Sequence, residues 1–573
     1  MDKAMLQDEF SLAITGSGGA GVMSVGELLL QAWAEEGGRG LLRKAFGPQI
    51  RGGEAAALLK LTSHQRYTAS STHNLLLAFD WENFSRFGDE IRLQPDSIVL
   101  CENPADMPDS LQVLQPQIIS LPFKELAKNA HPEGRLNMLA LGVLGALLGI
   151  PVATLKSLAT HKLADKVEDY RDAAEACIDA GVCAAPDLAP ALPAAKAEKG
   201  WYISGNQAAA YGALVGGVRF VAAYPITPAS DVLEYLAAPL ERMGGALVQA
   251  EDELAAINMA LGAAYGGVPA FTATSGPGLA LMSESIGLAV ASETPVTILD
   301  VMRGGPSTGI PTKSEQSDLN IALYGLHGDA PHLVLAPLSI SDCVFTCAWA
   351  VQLAQRLQTA AIVLSDQFLG QSTAIIDPPR ELPVIESSSR GSRGDHYLRY
   401  AITDDGVSAQ SIPGDHDQRF TADGLEHNER GTPSAGALDH QQQLDKRARK
   451  LTALDPGDDW GETHGRGSVA LICFGSAAAA VTTAYDPLTA AGIDCRVIAL
   501  RLLAPLPLEQ LMEALDGCTR IIVIEQNHGA QLLHYLRGYL EFSGSFHSVA
   551  TPGPVPLSPA TIVTAVSEVL DDE

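Results

Sequence analysis

Short apolar runs alternate with longer helical patterns along most of the chain, and this rhythm limits the fold more than any other feature. FSLAIT, SIVLC, VRFVAAY, AFTAT, VTILDV, AAIVLS, VALICF and RIIVIE read as buried strands. Strands separated by helix-length connections pair in parallel, because a parallel pair needs a crossover rather than a tight turn. The predicted class is α/β, with doubly wound open sheets whose ligands collect beyond the carboxyl ends of the strands. A chain of 573 residues, 46% of them hydrophobic, exceeds what one core fills. Two seams divide it. APDLAPALPAAKAEKG, residues 185–200, alternates Ala and Pro without building a core face, and residues 377–467 are polar and rich in Gly, Asp, His and Ser. The predicted order is a domain over 1–184, a linker over 185–200, a second domain over 201–376, a connecting arm over 377–467 and a third domain over 468–573. The arm is expected to lie over a partner surface or to be partly ordered, with a basic helical piece, DKRARKL, near its end.

Composition removes several classes of function. A net charge of -29 opposes binding to a phosphate backbone, so nucleic acid is not an expected partner. The eight cysteines form no CxxC and no repeated ligand spacing, which leaves ordinary reduced thiols. The N-terminus lacks the basic and long apolar regions of a secretory signal, so a cytoplasmic location is expected. The twenty residues from Leu136 to Leu155 carry no charge, but Asn137 and Pro151 cut the run to the length of a buried helix; no membrane span is predicted. His327 and Asp329, like Asp415, His416 and Asp417, lie in turn-rich segments where these residue types serve backbone geometry, and no metal site is assigned to them.

After the first strand comes GSGGAG, in which Gly16, Gly18 and Gly21 fit G-x-G-x-x-G ahead of an apolar helix. Such glycines allow a tight turn and close approach to a diphosphate, or simply serve helix packing. Glu36, twenty residues past Gly16, stands where a dinucleotide-binding domain wants an acid, but helix-end glutamates are common. FGPQIRGGEA places Arg51 on a loop, as a phosphate or carboxylate grip or as a solvated surface residue.

The densest chemistry lies between Gly205 and Leu319. Glu253 begins a helix of Ala, Leu, Ile and Met, so its carboxylate is expected to be poorly solvated and suited to proton work; a plain acid favoured by the helix dipole is the alternative, and Glu251 and Asp252 are near neighbours. In YPITPAS two prolines bracket Thr227, which offers a placed hydroxyl or a helix cap. Arg303 follows strand VTILDVM at its carboxyl end, where it can hold a carboxylate bidentately or form a structural ion pair. Lys313 and Gln316, in the turn-rich loop beyond it, are candidates for active-site or interface contacts.

The segments YPITPAS, EDELAAINMALGAAYGG, TATSGPG and RGGPSTGIPTKSEQSDL, in that order, resemble the alpha subunit of 2-oxoacid:ferredoxin oxidoreductases, and GSGGAG with FGPQIRGG resembles the gamma component fused in front of it. The resemblance covers nearly the whole chain. It implies a gamma-like Rossmann-type domain, a thiamine pyrimidine-binding domain and a transketolase C-terminal-like domain. It also implies that Glu253 meets the aminopyrimidine ring of thiamine diphosphate, that Thr227 and Arg303 bind the 2-oxoacid, and that Gly16, Gly18, Arg51 and Asn137 contribute to binding CoA.

No GDG occurs to hold Mg2+ and diphosphate, and no cysteine set suits an iron–sulfur cluster. The family places Mg2+, the diphosphate and a [4Fe-4S] cluster on a separate beta subunit, with ferredoxin as electron acceptor and a dimer of alpha-beta heterodimers as the assembly. The expected reaction is reversible, CoA-dependent oxidative decarboxylation of 2-oxoglutarate to succinyl-CoA. Pyruvate or branched 2-oxoacids, a nonoxidative thiamine carboligase and an acidic assembly subunit are the alternatives. The last domain is expected to be structural, with Glu525 and Asn527 at a strand end as the residues nearest to a ligand or subunit role.

Overall fold

The computed structural model describes residues 8–47, 53–65, 67–194, 198–310, 312–379 and 397–571. Two compact units form. The first runs up to Ile203 and takes in Ser372–Pro378; the second holds Ser204–Gln371 and the chain from Pro379 onward.

The first unit is built on an eight-stranded sheet in the order Gln117–Ser120, Leu93–Cys101, His73–Ala78, Glu9–Gly16, Ala55–Thr62, Arg39–Phe46, Thr373–Ile376, Trp201–Ser204. The expected open α/β sheet is present, but it is mixed. Glu9–Gly16 pairs in parallel with His73–Ala78 and antiparallel with Ala55–Thr62, because Arg39–Phe46 and Ala55–Thr62 return on each other without a crossover helix. Thr373–Ile376, which the sequence assigned to the second domain, pairs instead with Arg39–Phe46. Arg39, almost wholly buried, fixes this strand by donating to the Asp377 carboxylate at 2.8 Å and to the Glu198 carbonyl at 3.2 Å. The uncharged stretch from Leu136 divides into helices Leu136–Leu147 and Val152–Lys162, broken at Gly149 (φ +66°) and Pro151. No helix among the described residues is long and apolar enough to cross a membrane.

The second unit carries two sheets. The larger runs Leu502–Ala504, Leu333–Leu335, Ala360–Asp366, Val296–Met302, Ala270–Thr274, Phe220–Ala223, Ala246–Gln249, and is parallel apart from its first strand. That strand comes from the C-terminal domain. The smaller runs Gly461–Gly465, Cys495–Leu500, Val469–Phe474, Arg520–Glu525, Ser545–Ala550, parallel apart from its first strand. One apolar cluster reaches from Ile257 and Met282 through Ile298 and Val334 to Phe474, Ile498 and Leu536, so the second and third domains read from the sequence share a core. Arg501 ties them further, donating to Asp342 at 3.0 Å and to Glu462 at 2.9 Å.

The described part of the arm is neither an open loop nor free of its own chain. DKRARKL falls in helix Ala437–Thr452, which packs on the larger sheet's domain through a buried charge cluster. Glu293, fully buried, receives Lys446 at 2.5 Å and Lys450 at 2.6 Å, with Arg399 at 3.9 Å. A helix that reads as polar is held by its cations, because a buried carboxylate must be paired to stay ionised.

Candidate active site

Four neighbouring strands of the larger sheet, Val296–Met302, Ala270–Thr274, Phe220–Ala223 and Ala246–Gln249, deliver their carboxyl ends to one region. Each is followed by one of the segments singled out in the sequence. Three acids in a row follow Ala246–Gln249, and the structure separates their roles. Asp252 is the N-cap, its carboxylate accepting the Ala255 N–H at 2.7 Å; Glu251 is exposed; Glu253, the first helical residue, is 7% exposed. Among the described residues no hydrogen bond or ion pair engages the Glu253 side chain. It lies against Gly278, where an added Cβ would stand 2.8 Å from Glu253 Cγ and 2.0 Å from Thr274 Oγ1. A side chain at 278 has no room.

Thr227 does not cap a helix, since the next one begins at Ser230 with Ala229 as its N-cap. Its carbonyl accepts Arg303 Nη1 at 2.7 Å, which brings together two predicted site residues 76 positions apart. The turn is braced from beneath by buried Asn206, whose Nδ2 donates to the Pro228 carbonyl at 2.8 Å. Arg303 Nε is buried without a partner among the described residues. Burial lowers the guanidinium's pKa while nearby Asp318 raises it, and a guanidinium remains charged at neutral pH. Half-buried, charged and with a donor to spare, Arg303 is equipped to take an anion.

Lys313 and Gln316 part company. Lys313 is half-buried in the loop, its carbonyl accepting the Gly304 N–H at 3.0 Å. Gln316 is fully buried and reaches the C-terminal domain: its Nε2 donates to the Phe474 carbonyl at 2.8 Å and its Oε1 accepts the Gln526 N–H at 2.9 Å. Glu525 and Asn527 are likewise turned inward, Glu525 accepting the Leu532 N–H at 2.8 Å and Asn527 donating to the Gln316 carbonyl at 3.2 Å. Two carboxylates that sequence reading passed over, Asp300 and Asp318, meet each other, and Asp318 also lies near Arg303 and against Gly276 at the start of helix Gly276–Ala291. The signal was an acid inside a strand of otherwise apolar and small residues, VTILDVM.

In the first unit, Gly16 ends strand Glu9–Gly16, and the loop turns through Gly19 (φ +88°) and Gly21 (φ +80°) into helix Val22–Glu35. Asn137, at the start of another helix, is brought to this loop: a Cβ on Gly21 would meet its Nδ2 at 2.7 Å. The backbone N–H and hydroxyl of Ser17 both donate to the Asp80 carboxylate at 2.9 Å. That amide is satisfied by the protein's own anion, which counts against a dinucleotide diphosphate lying there. Gly18 sits in the same turn, and Arg51 lies outside the described residues.

This architecture and site define a class: an α/β subunit offering a buried glutamate and a guanidinium beyond the carboxyl ends of strands in one sheet. Three family models cover it. "Pyruvate flavodoxin/ferredoxin oxidoreductase, thiamine diP-bdg" matches residues 211–446, "Pyruvate ferredoxin/flavodoxin oxidoreductase" matches 11–184, and "Pyruvate:ferredoxin oxidoreductase core domain II" matches 467–541. The alpha subunit of 2-oxoacid:ferredoxin oxidoreductase 1 from Sulfurisphaera tokodaii is 34% identical over 72% of this chain and 70% of its own length. The 2-oxoglutarate synthase subunit KorA of Methanothermobacter marburgensis is 34% identical over 57% of this chain and 88% of its own. The structure of 2-oxoglutarate:ferredoxin oxidoreductase from Magnetococcus marinus, with 2-oxoglutarate, coenzyme A and succinyl-CoA bound, superposes with a TM-score of 0.90 at 34% identity, covering 98% of this chain and 99% of that one. The chain belongs to the 2-oxoacid:ferredoxin oxidoreductase family, as an alpha subunit with a gamma-like domain fused at its N-terminal side.

Proposed function

We propose that this chain is the alpha subunit of a thiamine diphosphate-dependent 2-oxoglutarate:ferredoxin oxidoreductase, which converts 2-oxoglutarate and CoA to succinyl-CoA and CO2 while reducing ferredoxin. The observation that carries the reading is the bond of Arg303 to Thr227 at the same end of the sheet as buried Glu253, in a chain that superposes over 98% of its length on a chain of the Magnetococcus marinus structure.

The residues present fit the cofactor. Glu253 is a buried carboxyl group with no hydrogen-bond or ion-pair partner among the described residues, the donor needed opposite an aminopyrimidine nitrogen, and Gly278 leaves it room where a side chain would not. Thiamine diphosphate, when bound, supplies the nucleophilic carbon and the electron sink. Glu253 holds and returns a proton at the pyrimidine nitrogen. Arg303 takes the 2-oxoacid carboxylate and, tied to the Thr227 carbonyl, aims it, while the Thr227 hydroxyl donates to the keto or carboxylate oxygen. CoA binds on the gamma-like domain, where Gly16, Gly18, Arg51 and Asn137 are the proposed contacts.

A beta subunit completes the site and carries Mg2+, the diphosphate and the [4Fe-4S] cluster that passes electrons to ferredoxin. Its docking face is the uncharged stripe beside Glu253. Leu254 (48% exposed), Met259 and Tyr265 stand out from the glutamate helix, Leu281 (51% exposed) from the next, and Gly262 opens onto free space. An apolar patch at the mouth of a site marks an interface and, once covered, excludes water. Lys313 contributes at its edge.

The test is CoA-dependent dye or ferredoxin reduction by the complex purified with its beta subunit. 2-Oxoglutarate is expected to be the best substrate, and Arg303→Gln to raise its KM at least tenfold, the loss of one charge-assisted contact. Preference for pyruvate would move the substrate assignment. Absence of any CoA-dependent reduction in a loaded complex would overturn the reading.

A further inference from the structure

Asp300 lies in the middle of strand Val296–Met302, opposite Thr274, and is wholly buried. Neither of its carboxylate oxygens receives a hydrogen bond from an N–H or hydroxyl among the described residues; the group it meets is Asp318. Asp318 stands at the N-cap of helix Leu319–Tyr324 but makes no cap bond. Its carboxylate is turned the other way, onto Gly276, where an added Cβ would stand 2.6 Å and 2.7 Å from its two oxygens, and its Oδ2 has no donor. Two carboxyl groups that meet in a buried place hydrogen-bond only when one carries a proton.

The charged groups around the pair come from each neighbouring segment: Arg303 beyond the end of the Asp300 strand, Glu315 from the loop before Asp318, and Glu253 across Gly278 on the same helix start. Burial and Glu315 push Asp318 up to about 6, against the pull of Arg303 and the hydrogen bond with Asp300; burial, with Asp318 adding to it, pushes Asp300 well above the carboxylate range. Asp300, the more deeply buried of the two, is pushed up by burial and by Asp318, and Asp318 is the member of the pair whose charge Arg303 meets.

We propose that Asp300 and Asp318 share one proton and that Asp318 is a positioning residue acting through Arg303: ionised, it competes with the substrate carboxylate for the guanidinium, and protonated, it releases the guanidinium to the substrate. This rests on Arg303 as the carboxylate anchor. Linkage gives the sign. A second anion at Arg303 favours protonated Asp318, so binding of a 2-oxoacid takes up a proton and weakens as pH rises above the free-enzyme value. The substrate's carboxylates are ionised throughout that range.

The experiment measures KM for 2-oxoglutarate in the alpha-beta complex from about pH 5.5 to about pH 8.5. In the wild type KM is expected to rise about tenfold across this window, a one-unit upward shift of Asp318 on binding. Asp318→Asn is expected to hold KM flat at its low-pH level, with the change falling on KM rather than kcat. Asp300→Asn, whose amide donates permanently to Asp318, is expected to hold KM near its high-pH level. The infrared spectrum should contain a deuterium-sensitive band of a buried protonated carboxyl group that Asp300→Asn removes. A KM that still rises with pH in Asp318→Asn, or absence of that band, would overturn the proposal. If Arg303→Gln leaves KM unchanged while the band is present, the anchor assignment has failed and the shared proton has not.

Discussion

The two ends of helix Gly276–Ala291 treat buried acids in opposite ways. At its N-terminal end Glu253, Asp300 and Asp318 gather with Arg303 near Asp318, and Glu253 has no hydrogen-bond or ion-pair partner among the described residues. Just beyond its C-terminal end Glu293 is saturated by Lys446, Lys450 and Arg399. Burial pushes the Glu293 carboxyl up, yet the three cations outweigh it and hold it well below the usual range. The same functional group thus serves as a clasp where cations neutralise it, and is left without such partners among the described residues at the end where we propose the chemistry occurs. The helix dipole favours the same division, with anions at the N-terminus and cations at the C-terminus. Buried acids left without cations lower stability at the first end, whereas the paired acid at the other end adds to it.

The largest expected effect breaks the reactive end. Glu253→Gln keeps the shape and removes the transferable proton, so turnover of the complex should fall about 10²–10⁴-fold with unchanged thermal stability, measured by rate assay and calorimetry. Equal losses of activity and stability would mean that Glu253 is structural. Glu293→Gln breaks the other end: three cations are left around a neutral amide, and unfolding should show a loss of about 3–5 kcal/mol. The pH dependence has a definite sign. Glu293 is depressed, so its contribution is present above about pH 4 and lost as pH falls toward its folded value. Burial pushes Lys450 down to about 7, so the unfolded chain holds that proton more tightly and stability from this group rises between about pH 7 and pH 10. Denaturation curves across pH should show both steps.

Gly278→Ala sharpens the comparison more gently. The new methyl meets Thr274 and Glu253, and we expect about a tenfold loss of kcat with 1–3 kcal/mol of overpacking. Full activity in that variant would show that the helix start yields. Lys450→Met should have the smallest effect, within about 1 kcal/mol, because Glu293 keeps Lys446 and Arg399 and an apolar side chain suits the site. It should also abolish the step between about pH 7 and pH 10 in the denaturation series.

Much of the reactive end was legible in the sequence, and little of the clasp. Glu253 could be placed because a capping acid followed by an apolar helix is a local pattern, and Arg303 because a charged residue directly after a buried strand points to the ligand side of a sheet. Asp300 was hidden in a strand pattern whose inward side chains read as core. Lys446 and Lys450 read only as part of a basic helical piece, since spacing shows which residues share a face but not what covers that face. Gln316, a candidate for active-site or interface contacts, is buried and ties its loop to the C-terminal domain.

What the sequence alone determined is local: the alternation that requires α/β sheets, the acid that starts the glutamate helix, and the glycines where the chain must turn. What only the tertiary structure decided is pairing at a distance. It joined Arg303 to Thr227, set Asp318 against Asp300, carried Thr373–Ile376 into the first sheet and buried Glu293 under the arm. Strand order and helix docking follow from how whole faces bury their apolar area. Those energies sum over many residues far apart in the chain, and no short window of sequence contains them.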